Sequence, residues 1–115
     1  MHSLRCLALL SALMLTGCHS AFVEATVSNH TSQPLELIEV DYPSASFGTQ
    51  SLAPGAEFHY RFKVLGEGKL KLTYTDASHK EQKSEGPFLK EGAEGPIHIT
   101  IQPDGTQWQN STVIH

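Results

Sequence analysis

From Glu57 to Val64 the chain alternates without a break, with Phe58, Tyr60, Phe62 and Val64 set against Glu57, His59, Arg61 and Lys63. A period of two is that of a β-strand, whose successive side chains leave on opposite faces, so one face of this segment is buried and the other wet. The pattern returns over 69–75, where Leu70, Leu72 and Tyr74 alternate with Lys69, Lys71, Thr73 and Thr75. Gly66-Glu67-Gly68 lies between the two runs and predicts a hairpin with one aromatic-aliphatic face and one basic-polar face.

Weaker versions of the signal surround this pair. Val23, Ala25 and Val27 alternate with Glu24, Thr26 and Ser28, and a polar loop follows at 29–34. In the run 35–42 (LELIEVDY), Ile38, Val40 and Tyr42 share a face while Leu35 and Leu37 are out of phase, which predicts a β-bulge near Leu37-Ile38. Residues 43–52 read as irregular, with room for one further strand. The segment 79–85 has no apolar residue on either face and is predicted to pair only at a sheet edge. Gly86-Pro87 is expected to end it, with Phe88-Leu89 plugging one end of the core. Ile97, Ile99 and Ile101 mark a last strand, stopped by Pro103-Asp104-Gly105, and Trp108 and Val113-Ile114 fall in a tail that frays or adds an edge strand. Short strands between turn signals, with no helical periodicity, predict an all-β antiparallel sandwich of about six or seven strands.

The chain has 115 residues, enough for one domain. With 8 Lys+Arg against 12 Asp+Glu it lacks the basic footprint of a general nucleic-acid binder. Its start is different in kind. His2 and Arg5 precede an apolar run, Cys6 to Leu15 (CLALLSALML), whose ten residues are half of what spans a bilayer as a helix. That is the core of a secretory signal peptide.

Immediately after it, Leu15-Thr16-Gly17-Cys18 resembles the lipobox of bacterial lipoproteins. The resemblance implies cleavage before Cys18, a diacylglyceryl thioether on its sulfur and acylation of the freed amino group. Cys6 leaves with the signal peptide, so Cys18 is the one cysteine of the mature chain, and lipidation accounts for it. In that family an aspartate after the cysteine favours the inner membrane; His19 here implies an outer-membrane destination facing the periplasm in a host with two membranes. The expected organisation is a signal peptide at 1–17, a lipidated anchor and tether at 18–21, a sandwich at 22–102 and a C-terminal tail at 103–115. Ser51-Leu52-Ala53-Pro54-Gly55-Ala56-Glu57-Phe58 resembles the turn entering a middle strand of small immunoglobulin-like bacterial domains, which implies a sandwich of that type.

Sites are harder to find. Arg61, Lys63, Lys69 and Lys71 would share the outer face of the predicted hairpin and offer a contact for an anionic envelope component or a protein partner. The plainer reading is a solvated face neutralised by Glu81 or Glu85 of a neighbouring strand. His59 and His98 fall on outward faces and would be neighbours if their strands pair, which is the basis of an alternative function in copper or zinc handling. Met1 and Met14 both go with the signal peptide, however, leaving no thioether ligand. No serine sits in a Gly-x-Ser-x-Gly elbow, and no cofactor motif is present. The expected function is that of a membrane-anchored lipoprotein acting as a non-catalytic binding or scaffolding module, held by lipid on Cys18, with no cofactor or metal.

Overall fold

The computed structural model describes residues 21–114; the signal peptide, Cys18 and most of the tether predicted above lie outside that range. Nine strands follow one another: β1 (Val23–Asn29), β2 (Leu35–Tyr42), β3 (Ala45–Leu52), β4 (Glu57–Phe62), β5 (Gly68–Thr75), β6 (Glu81–Leu89), β7 (Ala93–Gln102), β8 (Gly105–Asn110) and β9 (Val113–Ile114). One sheet has the order β4-β1-β7-β8, with β9 paired to the start of β7, and the other has the order β3-β2-β5-β6. They face each other as a β-sandwich.

The core lies between them. Val23, Val27, Ile97, Ile99 and Ile101 come from the first sheet, and Val40, Leu70 and Leu72 from the second, each at most 1 % exposed. These are the residues on one phase of each alternating strand, and burying them is what drives the two sheets together. Aromatic rings close one side of the sandwich, where Phe47 of β3 stacks on Tyr60 of β4 at 4.4 Å. Trp108 of β8 closes the other, its indole Nε1–H donating to Ser84 Oγ of β6 at 2.9 Å. Gly86 leaves room for the ring: a Cβ there would stand 2.6 Å from it.

The strands are as expected in kind but not always in place. β4 and β5 do not form a hairpin; they belong to different sheets. The residues between them cross the end of the molecule, with Val64 buried at 1 % exposure as the chain passes over the core. Alternation shows that a face is buried, not which sheet buries it, and here the two apolar faces look at each other across the core. The sandwich is also not wholly antiparallel, because β1 and β7 run parallel from Val23↔Gly95 to Asn29↔Ile101. Tyr60 was expected inside but is 40 % exposed, and Phe58 is half-buried, because β4 is an edge strand with cover on one side only.

Segment 45–52 is the further strand. β6 is an edge strand as predicted, but it runs through Gly86-Pro87 to Leu89. The register jumps from Lys71↔Glu85 to Lys69↔Phe88, so Gly86-Pro87 forms an irregularity there that an edge accommodates. Leu89 plugs the core, whereas Phe88 is 51 % exposed. The expected tail is a strand of the fold: Pro103 and Asp104 turn the chain into β8, which pairs along β7 from Gln102↔Gly105 to Ile97↔Asn110.

The bulge in β2 is where the phase of its leucines placed it. Its register against β5 skips from Glu36↔Thr75 to Glu39↔Thr73. Leu37 takes a φ of +50° and is thrown out to solvent. On β3, Gly48 faces the distorted segment; a Cβ there would overlap the Ile38 carbonyl oxygen.

Candidate functional surfaces

The four cationic residues divide into two pairs on opposite outer faces. Arg61 lies on the outside of the β4-β1-β7-β8 sheet opposite Glu24. Its guanidinium sits 4.0 Å above the Phe22 ring, and Lys63 Nζ lies 5.8 Å from the same ring. Lys69 and Lys71 point from the outside of the other sheet. Lys69 Nζ stands 3.7 Å from Glu85 Oε2, and Lys71 is flanked in register by Asp41 of β2 and Glu85 of β6. With Glu36, Glu39 and Glu81 on the same face, this is a mixed-charge solvated surface of the plainer kind, and its exposed pairs contribute little to stability. A single basic face does not form, because the hairpin that would have made it does not exist.

The two histidines are likewise kept apart. Thr26 of β1 is the cross-strand partner of both His59 and His98, so a full strand separates them. With neighbouring strands about 4.8 Å apart, their backbones stand roughly 10 Å apart. His59 is engaged on both ring nitrogens, Nδ1 with Thr26 Oγ1 at 3.0 Å and Nε2 near Glu57 at 3.5 Å. Among the described residues, no three His, Cys, Asp or Glu side chains converge as metal ligands.

A concave surface that sequence reasoning did not find lies at the end opposite the start of β1. It is a cleft of about 390 Å³ between the 30–34, 76–80 and 103–104 connections, with Thr31, Gln33, Tyr74, Asp76, Gln82 and Asp104 among its walls. Asp76 organises it. Its carboxylate accepts hydrogen bonds from the Ser78 and Lys80 backbone N–H groups at 2.9 and 3.1 Å and from Gln82 Nε2 at 3.0 Å. The bond from Gln82, then that from Lys80, hold its pKa below the ordinary carboxylate range. Beside it the Tyr74 hydroxyl is pushed up, first by burial and then by the Asp76 charge. The signal in the sequence was Asp76-Ala77-Ser78, legible as a turn but not as the wall of a cleft.

A carboxylate whose folded pKa is depressed stabilises the fold above its unfolded pKa, and that contribution is lost as pH falls through the folded value. Asp76→Asn is therefore expected to lower the melting temperature at neutral pH. The gap from the unsubstituted chain should close as pH drops below the ordinary carboxylate range. Paired thermal melts from acid to neutral pH measure it; a gap of constant size would show that the ionised carboxylate is not what matters.

No family model matches the chain, and no curated protein matches it. Among solved structures, an NMR structure of a protein from Eubacterium rectale is similar, with a TM-score of 0.57 at 13 % identity, covering 80 % of this chain and 90 % of that one. At that identity the likeness is one of fold.

Proposed function

We propose that the chain is a lipoprotein precursor whose mature form is held in the cell envelope by lipid on Cys18 and acts there by binding, without catalysis. One observation carries this reading: the ten-residue apolar run leads into Leu15-Thr16-Gly17-Cys18, with only three residues between Cys18 and Phe22 at the edge of the first strand. A cysteine in that setting has a chemical use as the acylated residue, and three extended residues reach about 10 Å, so the sandwich is kept close to the headgroups. The immunoglobulin-like type is supported by the turn Leu52-Ala53-Pro54-Gly55, where Gly55 takes a φ of +77° and donates its N–H to the Asn29 carbonyl at 2.7 Å. Tethered at the N-terminal end, the sandwich turns the cleft around Asp76 away from the bilayer, where a soluble or cell-wall component would reach it. A host with two membranes would carry it on the outer one, facing the periplasm, as His19 implies.

Cys18→Ser should abolish incorporation of a labelled fatty acid and leave a precursor of uncut length. Label retained by the variant would sink the reading.

A further inference from the structure

The same end of the sandwich gathers features that the anchor does not explain. β1 starts there, as does β7, which runs parallel to it; β4 and β6 end there, and β9 lies there with the start of β7. Among the described residues six large hydrophobic side chains are exposed: Leu37, Tyr60, Leu65, Phe88, Val113 and Ile114. The last four of these lie at this end, each more than half exposed. Leu65 sits in the connection from β4 to β5, Phe88 near the end of β6, and Val113 and Ile114 on β9 beside Glu94 and Ala93. Arg61 and Lys63 lean over Phe22, the first aromatic after the tether. The opposite end, by contrast, carries the polar cleft lined by Asp76 and Asp104.

We infer that this end is itself a membrane contact: Leu65, Phe88, Val113 and Ile114 enter the interfacial layer of the bilayer to which Cys18 is anchored, and Arg61 and Lys63 reach its phosphates. The inference rests on the lipoprotein reading, and the position of the start of β1 names the occupant. Lipid on Cys18 brings this end, and no other, within about 10 Å of the headgroups. Solvent-exposed apolar side chains set at one end of a small domain are a liability in water and an asset at an interface. Arginine and lysine suit that boundary, since their stems lie along apolar surface while their charges reach outward. An aromatic ring beneath Arg61 suits the same boundary. The contact would fix the orientation of the domain and hold the cleft outward.

The test uses the full lipidated protein in vesicles of phosphatidylethanolamine and phosphatidylglycerol. Once Cys18 is acylated, no thiol remains in the mature chain, so Leu65→Cys, Ile114→Cys and, as a control at the far end, Ala77→Cys can each be labelled with an environment-sensitive fluorophore. All three positions are exposed, so the core is untouched. Probes at 65 and 114 should shift to the blue, lose quenching by aqueous iodide and gain quenching by spin-labelled lipid, while the probe at 77 does none of these. Arg61→Gln with Lys63→Gln should weaken the shift at 65 and 114. Probes at 65 and 114 as aqueous as that at 77, on protein whose mass includes the acyl chains, would overturn the contact and leave the anchor standing. Probes shielded from iodide but not reached by lipid labels would assign the end to a second copy or another protein and overturn it too. Protein without acyl mass would remove the anchor and the contact together.

Discussion

Phe62→Ala is expected to cost about 3–5 kcal/mol, a large part of the roughly 5–15 kcal/mol that holds a small domain folded. Phe62 is 4 % exposed at the end of β4. Its ring stacks on Tyr42 at 4.2 Å and meets Phe47 at 5.5 Å, so it joins an edge strand of one sheet to two strands of the other. Truncation to a methyl removes those contacts and leaves a void that Tyr42 and Phe47 cannot both fill from their own strands. His59→Ala, three residues away on the outer face, removes only exposed bonds to Thr26 and Glu57 and should change stability by about 0.5 kcal/mol or less. Urea unfolding of the two variants measures the contrast; equal losses would mean that β4 does not present the face assigned to it.

Asn29→Ala should be as damaging, by a different route. Asn29 is fully buried, yet every polar atom of its side chain is used. Nδ2 donates to the Gln33 and Leu52 carbonyls, each at 2.9 Å, while Oδ1 accepts from Thr31 N–H at 2.9 Å and Thr31 Oγ1–H at 2.6 Å. The amide thus ties the end of β1 to the following loop and to the end of β3. Alanine would leave the buried Leu52 carbonyl without its donor, at about 1–3 kcal/mol for that group, and would lose the part-buried bonds to Gln33 and Thr31 besides. Asn29→Asp separates this from a packing effect. It keeps the volume and both bonds from Thr31 but turns a second acceptor oxygen toward two carbonyls, and it should lose at least as much stability as alanine. An Asn29→Asp chain of unchanged urea midpoint would show that the donated bonds contribute nothing.

Asn29-His30-Thr31 and Asn110-Ser111-Thr112 have the form of glycosylation sequons, but both are turns of the same build: Thr112 N–H and Oγ1–H bond to Asn110 Oδ1 at 3.0 and 2.6 Å. Here the spacing serves the backbone. Elsewhere, what depends on neighbours in the chain was legible and what depends on neighbours in space was not. The bulge at Leu37-Ile38, the edge nature of β6 and the buried phase of β1, β5 and β7 all follow from side-chain alternation. The separation of β4 from β5 does not, because a five-residue link such as 63–67 can close a hairpin or cross between sheets. The split of Arg61 and Lys63 from Lys69 and Lys71, and of His59 from His98, follows from that single topological fact. β8 was signalled more clearly than its reading allowed, since Asp104-Gly105 is a hairpin dipeptide and Thr106 and Trp108 keep the alternation going. The cleft around Asp76 joins three connections far apart in sequence, and no local pattern records that.

The parallel pairing of β1 with β7 bears on time as well as on shape. β1 is the first of the described strands in chain order, and one of its two neighbours in the sheet begins at Ala93. Its buried valines therefore have no complete seat until almost the whole chain is available, and the closure that joins Val23 to Gly95 must wait for a long loop to be gathered in. Non-local closure of this kind is slow. A chain cut short before β7 would keep β2, β3, β5 and β6 but would leave β1 with an open edge, a row of unpaired backbone groups beside an apolar face. For this molecule the final fifth of the sequence decides whether β1 is a structural element or a hazard.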